Sequence, residues 1–436
     1  MVASLLAALA LVAAPYDEGT LVTYRGTFLP VKVEQPEAGK AFELTILIGP
    51  TSDEATTVYW LMSDTDRQPM PWIERFNKLT WSRDNKSIEG PLPSFLYDHT
   101  TGKTRINVTP PLPLFAVELK AGASWTQEKL QFDVEEGEAI DGRPTWDVIA
   151  QTLVGRQRTM IVDREDQRIY GLQEKVFVGQ GEQHTLKYEL ITAKSLDSEA
   201  TSKAIAGMEA WMKVRDDYLR VAEDRSSKSL AAASKAVSEK LGELKQASEG
   251  TPLGKLADVA AGQLKFGSEQ QAAVGAMRSR LLGKPVPKFN LKDIANKAWS
   301  NDALTGKVTI LHFWSYRDEN LREPYGQVGF LDFLARQHAE VQVLGVAVAP
   351  PNQDEQQNQR TFVRKFRDFM NVSYPILLDD GKLLEKLGDP RKLKQDLPLF
   401  VVVDAQGNVI EYKAGEYEVQ RNEGLKELEK IVKSKK

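Results

Sequence analysis

Val308-Thr309-Ile310-Leu311-His312-Phe313-Trp314, led in by Gly306-Lys307, is the stretch on which the fold turns. A short run of β-branched, aliphatic and aromatic residues opened by a glycine turn reads as a strand. From there toward the C-terminus the period alternates. Arg322 to His338 reads as a helix, Val341 to Ala349 as a strand and Arg360 to Phe369 as a helix. Leu399 to Asp404 and Val409 to Lys413 make a hairpin around Gln406-Gly407-Asn408, and Gly424 to Lys433 is a closing helix. A βαβ half followed by a ββα half predicts a central mixed sheet with helices on both faces, an α/β domain assigned to residues 283–436.

Upstream, Gly283-Lys284-Pro285-Val286-Pro287 punctuates the start of that domain. Between Ser198 and Leu282 the only proline is Pro252, and Ala, Glu, Lys and Leu dominate, the composition of helices. Residues 197–282 therefore read as a helical linker or insert of two or three helices, broken at Gly250 to Gly254. Met208, Trp211, Met212, Tyr218, Leu219 and Ala222 approximate one apolar face, which predicts packing on a neighbouring domain. Residues 15–196 carry strand-like runs, among them Leu21 to Thr27, Phe42 to Ile48, Thr57 to Met62 and Trp146 to Leu153. With turn signals such as Asp141-Gly142 between them, they predict an antiparallel β-rich domain of half-barrel or barrel type. The proline-rich segment Pro91 to Pro113 is expected as loop or edge. The fold class is thus multidomain α+β.

Composition narrows the chemistry. Apolar residues are 42% and charged residues 27% of the 436, the proportions of folded globular domains rather than of disorder or a polytopic membrane protein. A net charge of -4 supplies no basic field for nucleic acid. There is no cysteine, which removes disulfides, thiolate metal sites, iron–sulfur clusters and thiol nucleophiles together. The four histidines, His99, His184, His312 and His338, show no metal-ligand spacing, so neither a metal nor another cofactor is expected. Met1 to Ala14 is almost unbroken apolar sequence, shorter than the roughly 20 residues a membrane-spanning helix needs. Its length and small-residue end fit an export signal, although no Lys or Arg precedes it, and predict an extracytoplasmic protein, periplasmic or secreted, without a transmembrane span.

The C-terminal third resembles the TlpA-like and redoxin (AhpC-TSA) branch of the thioredoxin superfamily. Four ordered stretches over roughly 130 residues carry the resemblance. They are Gly283-Lys284-Pro285-Val286-Pro287-Lys288-Phe289-Asn290-Leu291, then Gly306-Lys307-Val308 with Leu311-His312-Phe313-Trp314, then Tyr374-Pro375-Ile376-Leu377-Leu378-Asp379, and finally Leu397-Pro398-Leu399-Phe400-Val401-Val402-Val403-Asp404 with Gly407. The resemblance implies a thioredoxin-like fold, a cis bond at Pro398 and, in active relatives, a Cys-x-x-Cys-Arg motif at a helix start shortly after Phe-Trp. Here the two cysteine positions fall on Asp318 and Leu321, with Arg322 matching the arginine that follows. Disulfide exchange and thiol peroxidase chemistry are therefore excluded.

What stands in place of the thiols reads as a helix start. Ser315-Tyr316-Arg317-Asp318 fits the S-x-x-[DE] capping pattern, and Asp318 and Glu319 put negative charge at the positive end of the helix dipole. Relatives hold an extended substrate through the backbone of the residue before the cis-proline, a mode that needs no sulfur. Leu397, Pro398, Ser315, Tyr316, Arg317, Asp318 and Arg322 are accordingly the candidate contact residues, with a protein or extended peptide as partner. The alternatives are that Pro398 serves the turn alone, and that His312, Asp318 and Glu319 form an acid–base or metal group. A different class of function remains open as well: a carrier in which Phe42, Leu44, Ile46, Tyr59, Leu61, Trp146 and Val148 line a β-domain cavity for a lipid or other apolar small molecule. The same residues also read as a plain core. An enzyme of other chemistry finds little support, since Asp379-Asp380-Gly381 reads as a turn.

Overall fold

The computed structural model describes residues 16–31, 39–52, 55–64, 75–99, 102–152, 155, 157–179, 181–221, 227–315, 325–349, 353–393, 395, 397–417, 419 and 423–434. The apolar Met1 to Ala14 stretch lies outside them. The chain divides into two units, residues 1–263 and 264–436.

In the first unit, alternation of inward and outward side chains builds one large sheet. Its strands are β1 (Thr20–Pro30), β2 (Lys40–Ser52), β3 (Ala55–Asp64), β4 (Phe76–Ser82) and β5 (Ser87–Glu89), followed after a separate hairpin, β6 (Ser94–His99) and β7 (Gly102–Asn107), by β8 (Ser124–Gln127), β9 (Leu130–Ile140), β10 (Arg143–Gln151), β11 (Gln157–Asp163), β12 (Ile169–Val178) and β13 (Glu182–Ser195). Eleven of them form an all-antiparallel sheet in the order β5-β4-β3-β2-β1-β13-β12-β11-β10-β9-β8. The pairing of β1 with β13 joins the first strand to the last, so two meanders become one sheet. Ile88 of β5 and Trp125 of β8, on the two terminal strands, pack against the same core, and Gln127 Nε2 donates to the Lys86 carbonyl at 3.3 Å. The sheet therefore curls into a half-barrel.

The inside of the curl is filled by the chain itself. Phe95, Tyr97 and Ile106 from the β6–β7 hairpin, with Val108, Leu112 and Phe115 from the proline-rich run after it, are buried among Val22, Tyr24 and Phe28 of β1 and their neighbours. The Phe95 ring lies 5.6 Å from Phe28 and 5.2 Å from Phe42. Two polar ends in this core find carbonyl partners: Tyr188 Oη donates to the Thr109 carbonyl at 2.8 Å, and Lys40 Nζ to that of Leu96 at 2.7 Å. Gly26 is where the Phe42 ring crosses β1; a Cβ there would sit 2.2 Å from the ring, so no larger residue fits without displacing it. Pro91 to Pro113, expected as loop or edge, thus contains a short hairpin whose job is to pack the interior. Phe42, Leu44, Ile46 and Val148 meet these side chains as core, and Tyr59 and Leu61 alternate to the opposite, outer face.

The outer face is covered by α1 (Ser198–Val221), on which α2 (Ser227–Ser248) packs, and by the first residues of α3 (Gly254–Leu281) with the turn before them. Thr201, Ala204, Met208, Trp211 and Met212 recur at helical spacing and are the buried stripe of α1. Trp211 packs edge-on to Phe76 at 6.0 Å, and Glu209 accepts from Tyr59 Oη and Lys78 Nζ, each at 2.8 Å. The stripe ends at Val214, and Leu219, read as part of it from sequence, is half exposed. The break between α2 and α3 falls at the Gly250 to Gly254 turn, as the sequence predicts.

The second unit is a mixed sheet of β14 (Asn290–Asp293), β15 (Ala298–Ser300), β16 (Val308–Ser315), β17 (Val341–Val348), β18 (Ile376–Asp379), β19 (Leu399–Val403) and β20 (Val409–Ala414), in the order β15-β14-β18-β17-β16-β19-β20. β16, β17 and β18 are parallel, β19 runs antiparallel to β16, and β20 runs antiparallel to β19. One face packs against α4 (Tyr325–Gln337), α5 (Gln353–Met370) and α7 (Lys426–Lys433), and the other against α6 (Lys382–Leu387) and the end of α3. Helix α5 starts at Gln353 rather than Arg360 because its first turns, Gln353-Asp354-Glu355-Gln356, are polar and give no apolar period to read.

The filled half-barrel makes a quantitative expectation. Phe95 is fully buried between Phe28 and Phe42, so Phe95→Ala should lower the unfolding free energy by about 3 to 5 kcal/mol, measured by urea denaturation.

Candidate functional site

Strand β16 lies between β17 and β19 and is buried on both faces because helices pack on each side of the sheet, so its side chains split between two cores. Phe313 joins one core, while Ile310 and Trp314 join the other, where Trp314 lies 4.9 Å from Phe366. Ser315, half-buried, ends the strand. Opposite it, the Leu397–Pro398 peptide is cis and leads into β19. Phe313 pairs with Leu399, and that register continued by two residues sets Ser315 across from Leu397. The Pro398 carbonyl accepts from the Gly415 amide at 2.8 Å, which ties the turn to β20. Leu397 is half-buried, and its peptide N–H and C=O make no hydrogen bond among the described residues.

Three predicted contact residues, Ser315, Leu397 and Pro398, thus meet at one end of the sheet. Tyr316, Arg317, Asp318, Leu321 and Arg322 lie outside the described residues, as does Glu319. Among the described residues no group of three or more His, Asp or Glu side chains is placed to hold a metal ion.

His312 faces the core beneath α4. Its ring stacks on Phe400 at 4.6 Å, and neither ring nitrogen has a hydrogen-bond partner among the described residues. Desolvation with no compensating charge pushes the imidazole pKa down to about 3, so the ring is neutral at ordinary pH. On the far side of Phe400, at 4.9 Å, lies the Tyr417 ring, whose buried hydroxyl also lacks a partner. Gln327 of α4 holds the Tyr417 main chain by donating to its carbonyl and accepting from its amide. No local pattern joins Gln327, Tyr417 and His312, which are brought together only by packing across the sheet. The two adjacent carboxylates are divided in role as well. Asp379 is buried, which raises its pKa, and it accepts from the Leu383 and Leu384 amides at 3.1 and 3.0 Å to cap α6. Asp380 is held below the usual range by its hydrogen bond to Lys382.

Residues 282–412 match the model of the AhpC/TSA family. They form a redoxin domain. Solved structures similar to it include a thiol:disulfide interchange protein of the thioredoxin family from Chlorobium tepidum TLS, at 20% identity over 35% of this chain and 95% of that one with a TM-score of 0.28. A secreted Mycobacterium tuberculosis disulfide oxidoreductase matches at 17% identity over 34% of this chain and 95% of its own, with a TM-score of 0.26. The thioredoxin domain of a thiol-disulfide oxidoreductase from Bacteroides vulgatus matches at 14% identity over 35% and 97%, also with a TM-score of 0.26. None of the curated proteins matches the chain. The chain has no cysteine.

His312 gives the redoxin domain an acid sensitivity of known sign. Its pKa is about 3 when folded and near 6.5 when unfolded, so below pH 6.5 unfolding takes up a proton that the native state excludes. This residue should therefore remove about 1.4 kcal/mol of stability per pH unit as pH falls from 6.5 toward 3. Denaturation of the wild type and His312→Leu at pH 7, 6, 5 and 4 should show the two curves diverging, with the variant losing less stability in acid.

Proposed function

We propose that the redoxin domain is a non-redox binding or scaffold module of an exported protein, and that it holds a protein or extended peptide at the Leu397–Pro398 and Ser315 end of its sheet. The observation that carries this reading is the peptide group of Leu397 beside the end of β16, which makes no hydrogen bond among the described residues, in a chain without a single cysteine. A thiolate is the nucleophile of disulfide exchange and of thiol peroxidases, and no other side chain of this chain supplies one. Strand addition needs only main-chain donors and acceptors at an accessible edge, together with pockets for alternate side chains. The half-buried Leu397 side chain offers an apolar contact of that kind. The apolar stretch Met1 to Ala14 supports export, and with it a location outside the cytoplasm.

The carrier reading draws less support, because Phe42, Leu44, Ile46, Trp146 and Val148 belong to the same packed core as Phe95, Ile106 and Phe115, and Tyr59 and Leu61 face the outer side of the sheet.

Two measurements test the proposal. Purified full-length chain with dithiothreitol should give no insulin reduction above the reagent alone, and it should not consume hydroperoxide; turnover in either assay would overturn the non-redox assignment. Peptides selected on the immobilised chain from a random display library should slow hydrogen exchange of the Leu397 amide. Protection confined to other regions would show that the binding face lies elsewhere.

A further inference from the structure

Across the outer face of the β-unit, Thr192 of β13 pairs with Thr23 of β1, and Thr23 with Thr45 of β2, so three threonines stand in one row. The Thr23 and Thr45 hydroxyl oxygens are 3.4 Å apart. Such a row is expected to face water or a covering helix. Here it is the floor of a cleft of about 360 Å³, walled on one side by the first turns of α1 and on the other by the turn between α2 and α3. Ser63 and Thr251 add two more hydroxyls to the lining.

The rim is basic. Lys194 from β13, Lys203 from α1 and Lys255 from α3 all line the cleft, against one carboxylate, Glu43. Lys255 Nζ lies 3.3 Å from Glu43 Oε1, while Lys194 and Lys203 make no ion pair among the described residues. Three ammonium groups against one carboxylate leave two positive charges over a hydroxyl floor. Toward the helix the lining turns apolar, at a recess of about 20 Å³ between Leu47, Met208 and Leu253 that is too small for more than the edge of a ligand. The volume is within the range of small-molecule sites, and the lining is far more polar than the apolar pockets that take lipids or drug-like molecules.

We propose that this cleft binds a small polyhydroxylated anion, a sugar acid or a sugar phosphate, with Lys194 and Lys203 pairing the anionic group and the threonine row bonding the hydroxyls. Threonine hydroxyls both donate and accept, as a polyol requires, and ammonium groups meet carboxylate and phosphate alike. A plain apolar anion would leave the threonine row unmatched. A neutral sugar would leave the two free ammonium groups without a partner. The site is independent of the redoxin domain, so its fate and that of the peptide-binding proposal can be judged separately.

Isothermal titration of the full chain with glucose 6-phosphate, glucuronate, glucose and inorganic phosphate tests the proposal. Binding of either sugar anion supports it, provided glucose and phosphate each bind at least about tenfold more weakly. Raising the salt from low to physiological concentration should weaken that binding, since the rim is exposed. The double variant Lys194→Ala/Lys203→Ala should lose at least about tenfold in affinity, because both ammonium contacts go while the solvent-exposed positions leave the fold alone. Ala200→Trp, which fills the cleft from the first turn of α1 without touching its charge, should abolish binding. Each variant is compared at an unfolding midpoint matched to the wild type. The proposal is overturned if neither sugar anion binds, if glucose or phosphate binds as tightly as they do, or if binding survives both variants.

Discussion

Strand β16 is hydrogen-bonded on both edges, in parallel to β17 and antiparallel to β19, and its first seven residues, Val308 to Trp314, are all buried. A strand in that position must be apolar on both faces, and it fixes the level at which everything beside it ends. The pairing of Phe313 with Leu399 brings the Leu397–Pro398 turn to the end of β16, and the packing of Trp314 against Phe366 sets α5 on the opposite face from Phe313. That end of the sheet presents Ser315 and the Leu397 peptide group, which makes no hydrogen bond among the described residues.

The cost of the double burial is visible at His312. A polar ring placed in the middle of β16 has no route to water, and its neighbours Phe400 and Trp314 are apolar. It is kept neutral by desolvation, and its stacking on Phe400 replaces part of what the lost hydrogen bonds would have contributed. The β-unit solves a different problem. A curled eleven-stranded sheet has more inner surface than its own side chains can cover, and the hairpin β6–β7 with the run after it supplies the missing volume. The outer face is then free to carry polar rows under the helices, which is where the lysine-rimmed cleft forms.

Much of this was legible residue by residue. The βαβ and ββα order, the helix break at Gly250 to Gly254 and the antiparallel character of the β-rich part follow from local period, turn residues and spacing, while the cis bond at Leu397–Pro398 was implied by the family resemblance. The polar start of α5, the half-exposed Leu219 and the role of the proline-rich segment did not. Each depends on what a residue touches: Phe95 reads like any loop aromatic until Phe28 and Phe42 close around it, and Leu219 reads as core until the helix passes beyond the last inward position at Val214.

The sequence by itself determined what cannot happen here, because the absence of cysteine thiols is a property of composition and no fold can restore it. It also determined the order of elements, because period and turn chemistry are local. Only the tertiary structure decided that Phe313 pairs with Leu399 beside the Leu397–Pro398 turn, that Gln327 and Tyr417 close over the core holding His312, and that Thr192, Thr23 and Thr45 share a row with lysines from two helices at its rim. Those neighbours are separated by tens to well over a hundred positions, and strand register and helix packing, which join distant segments, are what set them side by side.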